Sequence, residues 1–287
     1  MKRLLLAMAL AVVMLVPATS ASAALTGEYA RFATCPLSNP EVGTCLYAET
    51  RSGSFTIGNK AVPIKNPVVL KGGLIPPPAE SNTSTLVAPT DGVVLSKTPQ
   101  PVPGGLLGVT APTWWPQILR DLFNETINNG FTGVTSTLEL AGPPSSVKVS
   151  LLAAFTGNGT AISMPVKVKL SNPFLGNNCY IGSNSNPIKL NLTAGTTSPP
   201  PPNQPITGST GVPELLQEGL LAVTNNRLVD NAFAAPGANG CGGILFSWAV
   251  DPFVNSIVGV PSPAGTNTAI LEGTTYLGEA AYLRTIQ

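Results

Sequence analysis

The chain has 287 residues, of which 15 are Lys or Arg, 14 are Asp or Glu and none is His, so its formal net charge is +1. The few charges are scattered, which excludes the basic clusters that hold a phosphate backbone, and we expect no nucleic-acid partner. The absence of imidazole excludes Ser-His-Asp and Cys-His catalysis, HExxH zinc sites and His-ligated haem or iron. With 29 Gly and 29 Pro, the composition favours many turns and short strands over long helices.

The first 23 residues have the pattern of a cleavable secretory signal. Lys2 and Arg3 give a positive start, residues 4–16 are nearly all apolar, and residues 21–23 fit the small-x-small cleavage rule. The apolar run is shorter than the roughly 20 residues that a membrane-spanning helix needs, so we expect no membrane association after cleavage. Residues 24–287 are expected to form a single β-rich secreted domain, in which a sub-division would fall near the proline run at 199–205.

All four cysteines lie in the predicted mature chain, where an oxidising compartment would convert them to disulfides. Cys35, Cys45, Cys179 and Cys241 allow three pairings. The preferred pairing joins Cys35 to Cys45 around a short loop and Cys179 to Cys241 across the proline run. A structural zinc site is the competing interpretation, but the chain has neither a CxxC pair nor a histidine. No metal or other cofactor is indicated.

Alternating apolar residues predict an antiparallel sheet in the middle of the chain. Residues 162–170 place five apolar side chains on one face and lysines on the other. Because Pro165 cannot donate to a ladder, this strand is expected either at an edge or with its unpaired side at that position. Residues 134–140 and 147–151 complete a predicted meander, with a hairpin turn at 156–159. Further short strands are predicted at 44–51, 54–57, 66–71 and 91–95.

One amphipathic helix is predicted at residues 115–127. Its apolar stripe consists of Trp115, Ile118, Leu119, Leu122, Phe123 and Ile127. Thr113 is placed to cap this helix, Pro116 falls in the first turn, and Gly130 lies just beyond the end. The fold class that follows is mainly β: an antiparallel, sandwich-like body with this helix packed on it and short accessory helices.

Two other segments are less determined by their pattern. A shorter helix is predicted to begin at Asp251 with Pro252 in its first turn. Its expected buried residues are Phe253, Val254, Ile257 and Val258. Residues 214–223 fit either a helix that starts after Pro213 or a strand followed by a turn.

A hydrolase that uses two carboxylates is the enzymatic alternative that survives the absence of histidine. Asp121 and Glu125 lie one helical turn apart but opposite the apolar stripe, which favours a solvated helix face. Glu139 and Glu272 fall near predicted strands without a visible partner. We therefore assign no catalytic residue.

Exposed aromatic rings are the candidate ligand contacts, since glycan-binding surfaces use flat rings as stacking platforms. Trp114 and Tyr180 are the two candidates. Trp115 and Trp248 have apolar neighbours in the sequence, which predicts core positions for both. The Asn-rich stretch 176–186 lacks the carboxylates that a strong calcium site needs, so a polar turn cluster is the favoured interpretation.

Residues 32–36, Cys45 and 69–73, together with 234–242 and 261–269, have a characteristic spacing of Cys, Gly and Pro. In these stretches the chain resembles uncharacterised secreted proteins of actinobacteria, over most of the predicted mature part. The resemblance implies export and bacterial origin and transfers no site residue. The sequence thus predicts an extracellular or cell-surface protein with a binding or structural role. Its expected partner is an extracellular glycan, the cell wall or a protein, and its oligomeric state is left open.

Overall fold

The structure is a computed structural model that describes residues 24–105, 111–129 and 133–287, without the side chains of 124–129. The predicted signal peptide, Gly130 and the side chains of Glu125 and Ile127 lie outside the described residues. The strands in the described parts are β1 (Thr44–Ile57), β2 (Lys60–Pro63), β3 (Val68–Ile75), β4 (Ser84–Val87), β5 (Gln100–Pro101), β6 (Thr135–Leu140), β7 (Lys148–Val149), β8 (Ile162–Ser171), β9 (Tyr180–Ile181), β10 (Ile188–Leu192), β11 (Val212–Gln217), β12 (Leu220–Asp230), β13 (Ala238–Asn239) and β14 (Thr268–Glu279). The α-helices are α1 (Gln117–Asn129), α2 (Leu151–Thr156), α3 (Gly243–Val258) and α4 (Ala280–Ile286), and 3-10 helices occupy Gly27–Phe32 and Pro144–Ser146.

These strands form one antiparallel sheet, which confirms the mainly β fold class. The main path runs β11-β12-β14-β1-β3-β4-β7-β8-β6-β5, while β2 pairs with β1, β9 and β10 pair with β8, and β13 pairs with β9. The sheet is curved, so that its halves around β1 and β8 face each other across one apolar core, as in a sandwich. A smaller core joins the two ends of the described chain through Leu25, Phe32 and Leu283.

The longest strand pair joins distant parts of the chain. Strand β1 pairs with β14 from Thr44–Glu279 to Thr56–Thr268, with a register shift between Thr50 and Ser52. The two strands predicted at 44–51 and 54–57 are therefore one strand interrupted by a bulge. The strand predicted at 91–95 is wrong, because only an isolated bridge from Leu95 to Leu70 forms there.

Strand β8 confirms the second of the two expectations for Pro165. The strand is central rather than at an edge, because it pairs with β10 on one side and with β6 and β7 on the other. Pro165 lies in the gap between β6 and β7, where its carbonyl accepts a hydrogen bond from the Ala141 N–H at 2.9 Å. The missing proline N–H therefore falls where no ladder partner stands opposite.

The predicted meander is wrong in its order. Strands β6 and β7 lie on the same side of β8, and β7 continues the sheet to β4. Of the strand predicted at 147–151, Lys148 and Val149 form β7, and Leu151 already begins α2, which Ser150 caps by accepting the Ala153 N–H at 3.2 Å. Gly157, in the left-handed conformation with φ +71°, ends this helix.

Helix α1 confirms the predicted position but not the predicted packing. Ile118 is 80% exposed and Leu122 is 61% exposed, so the apolar stripe does not cover the sheet. Helix α3 begins eight residues before the predicted start at Asp251, which places Pro252 inside the helix. Val254 and Val258 are buried as expected, whereas Phe253 is exposed. Residues 214–223 form the strand and turn, with Gly219 between β11 and β12.

The ends of the sheet are joined by two sets of hydrogen bonds outside the regular ladders. Thr193, just after β10, and Val229 in β12 exchange two backbone bonds of 2.9 Å. On the other side, the Gln100 side chain replaces strand pairing between β2 and β5. Its Oε1 accepts the N–H groups of Lys65 and Asn66 at 2.9 and 3.0 Å, and its Nε2 donates to the Asn66 carbonyl at 2.7 Å. The sheet therefore closes on itself around its core.

Both preferred disulfides are present, Cys35–Cys45 and Cys179–Cys241. The first ties the N-terminal segment to β1, and the second ties the segment before β9 to the start of α3. Two disulfides are typical of a protein stabilised for an oxidising, extracellular environment. Among the described helices, none has the length and apolar character needed to span a bilayer.

We expect the Gln100→Leu variant to lose about 3 kcal/mol of unfolding free energy, because two backbone donors and one acceptor lose their partner in a buried place. Gln100 is only 7% exposed, so water cannot replace the amide fully. The matched control is Gln217→Leu on the exposed face of β11, which should stay within about 0.5 kcal/mol of the wild type. Chemical denaturation of both variants measures the difference. Equal stabilities would show that Gln100 does not close the sheet.

Candidate functional site

An apolar cavity of about 130 Å³ lies between the facing halves of the sheet. Its walls come from β1, β2, β3, β5, β6, β8, β9, β10, β12, β14 and α3, and consist mainly of Val, Ile and Leu side chains. In β8 the alternation found in the sequence aims Ile162, Met164, Val168 and Leu170 at this space. An apolar cavity of this size can stay free of water and accept an apolar guest.

Helix α3 forms one wall of the cavity with its C-terminal half. Val254, Ile257 and Val258 line the space, and the turn between β1 and β2 fixes this end of the helix. The Asn59 N–H donates to the Val258 carbonyl at 2.6 Å. A Cβ on Gly58 would meet that carbonyl at 2.3 Å, so this close approach requires glycine.

Lys60 places a cation at the wall of the cavity, beside the same turn. The side chain is half-buried, and burial lowers the pKa of its ammonium group. Glu49, which also lines the cavity, is paired with Arg51 at 2.9 Å. Within the described part of the chain, Lys60 has no ion-pair partner. The cavity thus combines aliphatic walls with one cation that an anionic group of a ligand could neutralise.

The two candidate ligand contacts from the sequence are not brought together. Trp114 is 80% exposed before α1, with its ring 6.0 Å from that of Trp115. Tyr180 is half-buried in β9, with the Lys167 ammonium 4.7 Å from its ring centre. Burial and then the neighbouring Glu139 raise the pKa of Tyr180. No ring contact or hydrogen bond between described residues joins the two.

Trp115 and Trp248, for which core positions were predicted, differ in their burial. Trp115 is half-buried and contacts Phe123 with a ring separation of 5.6 Å. Trp248 is 79% exposed, so its predicted core position is wrong. The apolar neighbours of Trp248 in the sequence belong to the exposed part of α3, not to the core.

The carboxylates considered for hydrolysis have basic or polar partners. Glu139 lies 4.0 Å from Lys167, and Glu272 lies 3.4 Å from Arg227 and 3.0 Å from the Ser52 hydroxyl. Asp121 is exposed on α1. Within the described ranges no group of three or more Cys, Asp or Glu side chains is arranged to hold a metal ion.

A second, polar cleft of about 470 Å³ lies beside β10 and is lined by Thr, Ser and Asn side chains with Lys189 and Asp230. Asp230 is 3% exposed, and its two oxygens accept the N–H groups of Asn191 at 2.7 Å and Ala232 at 2.9 Å. Burial is the main cause that raises the pKa of this carboxyl. Asp230 therefore holds β10 against β12 beside the Thr193–Val229 closure.

The cavity and Lys60 were missed at the level of the sequence. The usable signal was Gly58-Asn59 between Phe55, Ile57 and Val62, since a two-residue Gly-Asn turn between apolar residues is typical of a hairpin. That turn would have placed Lys60 at the start of a second strand. Nothing in the sequence shows that the space between the strands stays unfilled.

Comparison with known proteins adds no assignment to this geometry. The chain matches no family model, no curated protein and no solved structure. The functional interpretation consequently rests on the cavity and on the surface around it.

We expect Asp230 and Asp91 to titrate on opposite sides of the ordinary aspartate pKa of 3.8. Burial raises the pKa of Asp230, so the folded state binds that proton more tightly and loses stability as the pH rises from 3.8 through the raised pKa. The hydrogen bond from Lys71, helped by the Val93 N–H, lowers the pKa of Asp91. Its contribution is present above 3.8 and is lost as the pH falls through the lowered pKa. Carboxyl ¹³C NMR titration checks both, and shifts in the same direction would contradict the burial of Asp230.

Proposed function

We propose that this is a secreted bacterial protein that binds a hydrophobic small molecule with an anionic head group outside the cytoplasm, without catalysing a reaction. The observation that supports it is the apolar cavity with Lys60 in its wall. A fatty acid or a related amphiphile has the required chemistry, since it joins an alkyl chain to a carboxylate.

The aliphatic walls supply the driving force for binding. Burial of one methylene contributes about 0.8 kcal/mol, so about six methylenes in the cavity would contribute about 5 kcal/mol. No covalent group or metal is required for this step. Selectivity would come from the shape of the wall and from the charge at its edge.

Lys60 supports an anionic head group through electrostatics. Its ammonium is partly desolvated, and in the described residues no carboxylate pairs with it. A ligand carboxylate would form a charge-assisted hydrogen bond with this group, which is stronger than a bond between neutral partners. Glu49 does not compete for Lys60 because it already pairs with Arg51.

The closed sheet and the disulfides support a binding role in an extracellular setting. A sheet joined through Thr193–Val229 and through Gln100 keeps the walls of the cavity in place before a ligand arrives, which lowers the entropic cost of binding. The glycan and cell-wall partners expected from the sequence stay predictions, and the carboxylate-pair hydrolase stays the enzymatic alternative. We do not advance the hydrolase, because Glu139 and Glu272 are paired with basic residues.

We expect Ala48→Phe to weaken binding of a dansylated C11 fatty acid by about tenfold or more, because the ring would occupy the space of the ligand. Ala48 lines the cavity from β1. The matched control is Ala61→Phe on the exposed face of β2, outside the lining, which should bind as the wild type does. Fluorescence titration measures the affinities, with thermal melting to verify folding. Equal affinities of the two variants would place the ligand elsewhere, and absence of binding by the wild type would refute the proposal.

We expect Lys60→Met to weaken binding of the fatty acid about tenfold while leaving binding of its methyl ester unchanged. The substitution removes the cation and keeps an apolar stem, and a charged hydrogen bond contributes about 1.5–3 kcal/mol. Lys65→Met is the control, since Lys65 is exposed and outside the cavity. Competition with the dansylated probe gives both affinities. An equal loss for acid and ester would show that Lys60 acts through packing alone.

A further inference from the structure

The exposed apolar side chains of this protein are concentrated at one end of the body. Of the fifteen large apolar residues that are exposed in the described chain, nine lie in or beside α1 and in α3, and a tenth, Phe174, lies in the turn at residues 172–175. We call them the helical patch: Trp114, Ile118, Leu119, Leu122, Phe174, Ile244, Leu245, Phe246, Trp248 and Phe253. Soluble proteins rarely expose a continuous apolar surface of this kind without a function for it.

The turn at residues 172–175 brings the two helices of the patch together. The Asn172 side chain donates to the Gly133 carbonyl, which follows α1, at 2.6 Å. The Gly242 N–H, which precedes α3, donates to the Leu175 carbonyl at 2.8 Å. Phe174, exposed at 47%, lies in this turn between the two contacts. The segment after α1 and the segment before α3 are therefore held by the same turn, which carries Phe174.

The first turns of α3 are exposed on most sides. Ile244, Leu245, Phe246 and Trp248 are 98, 76, 61 and 79% exposed. At about 100° per residue these four side chains point over an arc of about 200° around the helix axis. A flat protein surface covers one side of a helix, whereas a fluid hydrocarbon layer surrounds a projecting end from all sides.

The base of this projecting segment is held firmly. Cys241 is bonded to Cys179, and its N–H donates to the Asp251 carboxylate at 2.7 Å. The same carboxylate accepts the Gly240 N–H at 3.2 Å, and the Asn255 side chain accepts the Ala238 N–H at 2.6 Å. The exposed end is thus a fixed feature of the fold.

We propose that the helical patch inserts into the surface of a lipid bilayer, so that α1 and the first turns of α3 rest among the lipid head groups and upper acyl chains. Asp251 is the only charged residue of α3 and is engaged by backbone N–H groups. Among its described side chains, helix α1 carries one cation and one anion beside the exposed apolar ones, the half-buried Arg120 and the exposed Asp121, which would lie at the level of the lipid head groups. Because these two charges offset each other, apolar insertion and not attraction to anionic lipid would drive binding. Trp114 and Trp248 have the side chain that is enriched at membrane–water interfaces.

The proposed membrane docking rests on the proposed ligand binding, because α3 takes part in both. The C-terminal half of that helix lines the cavity with Val254 and Val258, and its N-terminal half carries the patch. A protein that takes up an amphiphile meets it at the highest concentration in a membrane. The proposal replaces the expectation of no membrane association after signal cleavage, but as surface docking and not as a span.

Flotation with phosphatidylcholine vesicles tests the docking, using the chain from residue 24 so that the predicted signal cannot anchor it. We expect the wild type to float with the vesicles equally in low and high salt. The three tryptophans, Trp114, Trp115 and Trp248, should shift their emission to the blue and be quenched by brominated acyl chains. The double variant Ile244→Asp/Phe246→Asp should lose about tenfold or more of the bound fraction.

The control is Leu215→Asp on β11, which is 73% exposed outside the patch and should float as the wild type does. Flotation of the patch variant at the wild-type level would overturn the proposal. So would a wild type that stays in solution and forms a dimer that the patch variant abolishes, because a second copy would then cover the surface. Binding of the dansylated fatty acid without vesicles distinguishes failure of the membrane proposal from failure of the ligand-binding proposal. The patch variant should still bind the fatty acid, whereas Ala48→Phe should lose fatty-acid binding and still float with the vesicles.

Discussion

The closure of a single sheet on itself is the constraint on which the rest of this structure depends. Thr193 and Val229 join one pair of ends by two backbone bonds, and Gln100 joins the other pair with three side-chain bonds. Once the sheet is closed, every second side chain of each strand points into the same interior. Asp230 strengthens the Thr193–Val229 closure by accepting the Asn191 N–H, although this buries a carboxylate. A cavity between facing walls follows from this geometry, because strands fixed at both ends cannot collapse fully onto a gap in the packing.

The disulfide at Cys179–Cys241 connects this closed body to its most unusual surface. It fixes the segment before α3, and Asp251 and Asn255 fix the helix itself. Stability is thereby concentrated at the base of a segment whose large apolar side chains are mostly exposed. Such an arrangement is expected where an exposed apolar surface has a partner, since a free helix end with the same side chains would otherwise fold back on the body.

Local patterns predicted the local elements of this fold. The alternation in β8 and the position of α1 were predicted from residue spacing, the preferred cysteine pairing is the one present, and the second of the two expectations for Pro165, an unpaired side at that position, corresponds to the gap between β6 and β7. The cavity could not be predicted, because periodicity shows which side chains point inward and not whether those of ten strands and a helix fill the interior. The exposure of Trp248 could not be predicted either. An apolar run such as residues 244–250 has the same composition whether it enters a core or a lipid layer, and only its position relative to the body distinguishes the two.

Helix α3 belongs to both the cavity and the helical patch, which connects the two proposed functions. An amphiphile that leaves a bilayer through water exposes its chain, which costs about 0.8 kcal/mol for each methylene. A carrier whose exposed helix end rests in the lipid and whose other end walls an apolar cavity would shorten that exposure. Lys60 lies beside the turn that bonds to the C-terminal end of α3, so the head group and the chain would be recognised in one cavity, at the end of the helix that lies away from the lipid. Separate losses of flotation and of ligand binding in the patch and cavity variants would show that the two surfaces act in sequence and not as one site.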